Sequence, residues 1–380
     1  MKILFITHHY LSSNGGGSFA SRAYINAFAE NADEMTLLYP VKDGEDLFPE
    51  INKKIKTIPV KYNLPKWRKL VDLLCGRIHR YFSIAREMLK EERFDVVVFD
   101  TSLVSYRIIK NFKEKGSRTI VIHHNYQYEY FKDNAKGVLS FPTLLWCKRY
   151  EKQAVRSADL NLTLTKQDIE LLANNYNGGN KDSFSLLGVF EYKPREKMAA
   201  AEKENRNPKN RFVITGSLCD FQTKHSLISW LQDYYPVLKQ VFSDASLTIA
   251  GRNPGVEIQN LCRENDIHLI PSPKSMDPIM ENADYYICPT FLGGGLKLRV
   301  MDGLKWGLPV ISHSVSARGY ELFEEHGCLI SYRDLDGFKR ALDTLKKNYL
   351  EKEMIVNIYQ EFFTLESGIK RVKLFLNLFR

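Results

Sequence analysis

Residues 293–302, GGGLKLRVMD, place three glycines ahead of Lys297, Arg299 and Asp302, between a strand-like run, ADYYICPT, and a helix-like run. Glycine has no Cβ, so the amides of Gly293, Gly294, Gly295 and Leu296 can approach a ligand closely. A helix that starts after such a loop aims its first N–H groups and positive dipole end at the same point. That combination suits a phosphate or diphosphate. A lysine or arginine would add a charge-assisted hydrogen bond. On one helix positions 297 and 299 lie about 200° apart, so Lys297 is assigned to the loop. Asp302, a turn further on, is placed to accept hydrogen bonds from sugar hydroxyls. The competing reading is a glycine-rich turn followed by a structural pair between Arg299 and Asp302.

Two further stretches have the same strand-to-helix setting. HHYLSSNGGGSFASRAY, residues 8–24, follows the first strand and carries Gly15, Gly16 and Gly17. It has neither a GxGxxG nor a GKS/GKT pattern, so a dinucleotide fingerprint and a P-loop are both excluded. VIHHNYQYEY, residues 121–130, sets His123, His124 and Asn125 at a strand end. The only Asp-x-Asp, Asp334 and Asp336, precedes an amphipathic helix and reads as its acidic start. No metal site is expected.

The elements that must position these residues follow from apolar runs. KILFIT, DVVVF and TIVIH are continuous apolar stretches, the mark of strands buried on both faces of a parallel sheet. Strands are predicted at Lys2–Thr7, Thr36–Tyr39, Ile55–Val60, Asp95–Phe99, Thr119–His123 and Asn161–Leu164. Residues 191–211 are charged and read as a linker. The rhythm then restarts, with strands at Phe212–Thr215, Leu247–Ala250, His268–Ile270, Tyr285–Cys288, Pro309–Ser312 and Cys328–Ile330, and helices at Ser226–Phe242, Val256–Asn265 and Arg299–Trp306. The fold class is α/β, with two doubly wound Rossmann-like domains. Such sheets bind ligands at the carboxyl ends of their strands.

A chain of 380 residues is long enough for two cores. Its net charge of +9 favours an anionic partner. Zinc-finger spacing and RNA-recognition signatures are absent, so nucleic acid is not expected. The six cysteines show no metal or redox spacing and read as reduced thiols. No run of 18 apolar residues occurs, and the amino terminus reads as a first strand rather than a signal peptide. A cytoplasmic location is expected.

The order FVITGSLCDF, ASLTIAGRNP, IHLIPSP and ADYYICPTFLGGGLKLRVMDGLKWGLPVISHS resembles the carboxyl domain of glycosyltransferase family 4, of the GT-B fold. ITHHY with its glycines, and SADLNLTLTKQD, are also similar to that family. The resemblance spans nearly the whole chain and is most specific over residues 283–312. It implies a retaining transferase that uses a nucleotide-activated sugar, UDP- or GDP-linked, with no further cofactor. It implies an acceptor domain at 1–195, a nucleotide-sugar domain at 208–359, reaction in the cleft between them, and a final helix at 360–380 packed back on the first.

The resemblance also implies roles. Many members carry two glutamates eight positions apart, the later one holding the ribose. Here Asp302 takes the later position and Gly294 the earlier one, a departure shared with a glycine-rich-loop subgroup. Gly293, Gly294, Gly295 and Lys297 then match the loop that meets diphosphate and sugar. After the first strand of the second domain many members have an arginine beside a glycine, and a lysine further on. Here Ser217 follows Gly216, and Lys224 is carried over as the lysine. Arg252 is placed to reach the nucleotide. His124 matches a histidine that faces the donor sugar, ahead of His8, His9 and Tyr10. Gly16 and Gly17 complete the donor-binding set.

Residues 61–90 hold eight Lys/Arg against two Asp/Glu, interleaved with Trp67, Leu70, Leu73, Leu74, Ile78 and Phe82. They read either as an amphipathic helix resting on the anionic inner face of the plasma membrane or as an ordinary surface helix. The expected partners are a nucleotide sugar, a glycan or lipid-linked acceptor, as in bacterial surface polysaccharide assembly, and that membrane surface. Two alternatives stand beside the transferase: a non-catalytic subunit of the same fold, and a nucleotide-sugar epimerase.

Overall fold

The computed structural model describes the chain apart from residues 14, 42–50, 53, 62–66, 68–80, 105, 134–139, 194–208, 348–349 and 380. Most of the predicted linker and of the basic stretch 61–90 therefore lies outside the described residues. The chain divides into two compact units, Met1–Glu196 with Phe362–Arg380, and Lys197–Glu361.

The first unit is built on strands β1 (Lys2–Thr7), β2 (Glu34–Val41), β3 (Lys56–Lys61), β4 (Val96–Asp100), β5 (Arg118–His123), β6 (Leu160–Thr163) and β7 (Phe184–Leu186). They form one parallel sheet in the order β3-β2-β1-β4-β5-β6-β7. The apolar runs explain it. Ile3, Leu4, Phe5, Val96, Val97, Val98, Ile120, Val121 and Ile122 are all fully buried, as strands covered by helices on both faces require. β7 was not foreseen, because FSL is only three residues long with one buried side chain.

The order reverses between β1 and β4, which makes that point the topological switch of the sheet. The helix Leu365–Asn377 belongs to this unit. It buries Val372 and Leu376, each worth about 1.5–3 kcal/mol against exposure. Arg371 donates to the Leu187 carbonyl at 2.7 Å and stacks over Phe190.

The second unit carries β8 (Arg211–Ser217), β9 (Ser246–Arg252), β10 (His268–Pro271), β11 (Tyr285–Cys288), β12 (Val310–His313) and β13 (Leu329–Tyr332). They too form one parallel sheet, ordered β10-β9-β8-β11-β12-β13, with the switch between β8 and β11. The expected helix over 226–242 is instead two, Phe221–Asp233 and Tyr235–Val241. Pro236, at the start of the second, cannot donate its missing N–H to the first. Trp230, Leu231, Leu238 and Phe338 fill the core beside this sheet. Among the described residues no helix is long and apolar enough to cross a membrane.

Candidate active site

Each sheet gathers its chemistry at the switch point, where the two loops diverge and leave space above the strand ends. In the first unit, β1 hands over to His8 and His9, β4 ends at Asp100, and β5 is followed by His124. Asp100 is completely buried. Thr7 donates its hydroxyl proton to one carboxylate oxygen at 2.7 Å, and the Ser21 hydroxyl lies 2.5 Å from the same oxygen. The other oxygen lies 2.6 Å from His124 Nε2. A carboxylate only accepts, so Nε2 carries the proton, and Asp100 thereby fixes the tautomer and ring plane of His124.

The other histidines take different parts. The His9 ring stands 4.7 Å from that of His124 and 3.9 Å from that of His8, centre to centre. His123 is fully buried with Nε2 2.9 Å from the Asn161 side-chain oxygen, and burial pushes its pKa down to about 4. It is a structural residue. Burial also lowers His8 to about 4, against the opposing pull of Asp100.

His9, Asp100 and His124 also bring one donor atom each to within 4.8 Å of one another, the one such group of three among the described residues. Two imidazoles and a carboxylate are a ligand set that a zinc-like ion accepts. An ion there would replace the hydrogen bond between Asp100 and His124.

Gly16 and Gly17 lie in the first turn of the helix Gly16–Glu30 rather than in the loop before it. A Cβ on Gly17 would run into the His9 imidazole. This glycine therefore serves the histidine cluster by letting the helix pass close to it. Arg22, from the same helix, donates to the carbonyls of Leu11 at 2.7 Å and Ser13 at 3.0 Å. It pins the loop that carries the histidines.

In the second unit, Gly216 and Ser217 end β8, and the loop 293–297 follows β11. Gly293 and Gly295 have φ of +85° and +71°, a region that favours glycine. Gly294 does not need it: a Cβ there would meet nothing within 4 Å. Lys297 is the residue just before the helix Leu298–Lys305, as its assignment to the loop requires. Its carbonyl accepts from the Tyr320 hydroxyl at 2.9 Å. Its ammonium reaches the Gly294 carbonyl at 3.3 Å and the Gln222 side-chain oxygen at 3.4 Å. Leu296 is half-buried beside it, and Asp302 is exposed on the helix.

Lys224 is half-buried and pairs with Glu257 at 3.4 Å. Arg252 is exposed at the end of β9. Arg299 does not pair with Asp302. Its guanidinium meets the hydroxyls of Thr223 at 2.5 Å and Thr290 at 3.5 Å. Asp334 and Asp336 do begin a helix: the Gly337 amide donates to the Asp334 carboxylate at 2.7 Å. Sequence reading also missed Asp100. A lone aspartate ending VVVFD forms no motif, and only the strand order shows that it faces the switch point.

Residues 209–348 match the family model described as glycosyl transferases group 1. A protein of Klebsiella pneumoniae described as an uncharacterized 44.6 kDa protein in the cps region is 23% identical over 310 residues, 73% of this chain and 76% of its own. The structure is similar to that of HepE from Anabaena in complex with UDP, at 13% identity and TM-score 0.64, over 99% of this chain and 100% of that one. It is also similar to WaaG, a glycosyltransferase involved in lipopolysaccharide biosynthesis, at 14% identity and TM-score 0.65, over 98% of each chain.

Proposed function

We propose that this chain, a GT-B protein whose second unit carries a group 1 glycosyltransferase domain, moves a sugar from a nucleoside diphosphate to a glycan or lipid-linked acceptor with retention of configuration. The observation that carries the reading is the loop 293–297 at the switch point of the second sheet. It brings three glycines and Lys297 to the start of a helix. The relative from a cps region, and WaaG, a glycosyltransferase involved in lipopolysaccharide biosynthesis, support surface polysaccharide assembly as the setting.

The chemistry follows from these groups. The acceptor hydroxyl attacks the anomeric carbon on the face the diphosphate leaves. The anomeric C–O bond breaks, and its electron pair stays on the phosphate oxygen. That oxygen takes the acceptor's proton. Loop amides, the helix dipole and Lys297 stabilise the negative charge as it develops. Asp302 accepts from ribose hydroxyls, and Gly216 and Ser217 border the nucleotide. The resemblance gives His124, which Asp100 orients, the role of facing the donor sugar. No step calls for a metal.

The test is incubation with UDP- and GDP-linked hexoses, following free diphosphate by chromatography and the anomeric proton by NMR. Diphosphate release and an unchanged anomeric configuration are expected. An epimer appearing without net release would instead support the epimerase, which the clustered His8, His9, His124 and Asp100 would supply with acid and base groups. Tight donor binding with neither product would support a non-catalytic subunit.

A membrane-bound acceptor gains support from the helix Ser140–Ser157. Its outer face carries Leu145, 55% exposed, then Lys148, Arg149, Lys152 and Arg156, while its single carboxylate, Glu151, is buried. Cations ending in an exposed leucine suit an anionic lipid surface. Sedimentation with anionic vesicles should pull the chain down, and Lys148→Glu with Lys152→Glu should release it. Equal sedimentation with neutral vesicles would remove the argument.

A further inference from the structure

The resemblance puts an arginine beside the glycine that ends β8 and a lysine further along, and that arginine is absent here. Ser217 stands in its position, and Lys224, carried over as the lysine, pairs with Glu257 at 3.4 Å. The space beside Gly216 is nevertheless filled by a cation. A Cβ on Gly216 would lie 2.6 Å from both Cζ and Nε of Arg299. That residue comes from the other side of the switch point, at the second position of the helix Leu298–Lys305.

We infer that Arg299 is a diphosphate-binding residue of this chain, reaching across from the β11 side to the place the β8 loop leaves vacant. This deepens the proposed function and rests on it. Three observations carry it. The residue is half-buried. Among the described residues its partners are two neutral hydroxyls, Thr223 from the helix after β8 and Thr290 from the loop after β11, with no carboxylate. And the glycine beside it leaves its Nε edge uncrowded. A guanidinium has five N–H donors in a fixed fork. Two threonine anchors hold the fork and leave donors over. Removing a cation from water without an anion is costly, and bidentate capture of a phosphate oxygen pair offsets that cost.

Lys297 complements it. Its ammonium lies beside Gln222, one residue before Thr223. Lys297 and Arg299 thus come from one segment, 297–299, and Gln222 and Thr223 of the helix starting at Phe221 give them neutral anchors. The lysine and arginine of LKLR are that pair.

The test is calorimetric titration of wild type, Arg299→Ala and Arg299→Lys with UDP, GDP, uridine and guanosine. Arg299→Ala should weaken the preferred diphosphate about 10- to 100-fold and leave its nucleoside unchanged. Arg299→Lys should recover part of the loss. If wild type binds none of the four, the proposed function fails first. If wild type binds a diphosphate and folded Arg299→Ala binds it within twofold, the arginine is not a ligand of the diphosphate and the inference is overturned. An equal loss for diphosphate and nucleoside would assign Arg299 a structural part and overturn it as well.

Discussion

His123 makes a quantitative test of how the first unit is packed. Its imidazole is completely buried at the end of β5, with Nε2 donating to Asn161 and Nδ1 lacking a partner. A second ring proton would have no acceptor, so burial holds the group neutral and lowers its pKa from 6.5 to about 4. The sign follows from linkage. Between these values the unfolded chain binds the proton and the folded one does not, so stability is fully present above about pH 6.5 and is lost as pH falls towards 4. From pH 7.5 to 5.0 the loss comes to about 2 kcal/mol for this group. Glu151 works in the opposite sense, because burial raises it to about 7. The comparison therefore needs a variant that differs at His123 alone. His123→Gln keeps a donor for Asn161 and does not titrate. Urea unfolding of both proteins at pH 7.5 and 5.0, read on the transition of the first unit, should show wild type losing about 2 kcal/mol more than the variant. Parallel pH dependences would refute the reasoning, since the imidazole would then reach a proton in the folded state.

Four other outcomes follow from the same geometry. Gly368→Ala drives a methyl into the Phe190 ring and should destabilise the first unit by about 1–3 kcal/mol in thermal unfolding, through overpacking. Gly294→Glu, whose Cβ meets open space, should unfold within about 0.5 kcal/mol of wild type; a large loss would show the loop to be closed over that position. His124→Ala should cut diphosphate release about 10- to 100-fold with nucleotide affinity unchanged in calorimetry. EDTA should leave release unchanged; loss restored by added zinc would place an ion on His9, Asp100 and His124.

The sequence made the strands legible because a parallel strand covered on both faces must be apolar throughout, as in KILFIT and DVVVF. Two β/α repeats then implied two doubly wound sheets. The glycine loop at 293–295 was legible for a similar reason, since positive φ at Gly293 and Gly295 restricts residue choice. Partnerships across strands were not legible. Lys224 was the nearest lysine in sequence, but its helix turns it towards Glu257. Asp302, three residues on, was one of the partners open to Arg299, yet Arg299 meets Thr223, distant in sequence and adjacent only because β8 and β11 are neighbours. Asp100 escaped notice for the same reason: its role comes from Thr7 and His124 on the flanking strands.

The central claim is that the second unit holds a nucleoside diphosphate at the loop 293–297. Thermal unfolding with UDP, GDP, ADP and CMP, on wild type and Asp302→Ala, tests it most directly. At 100 times its dissociation constant a ligand adds about 2.7 kcal/mol to stability. The account predicts a clear rise in unfolding temperature with one of the diphosphates, reduced in Asp302→Ala by loss of the ribose contacts. No shift with any of the four nucleotides would contradict it and return the glycine loops to the status of turns.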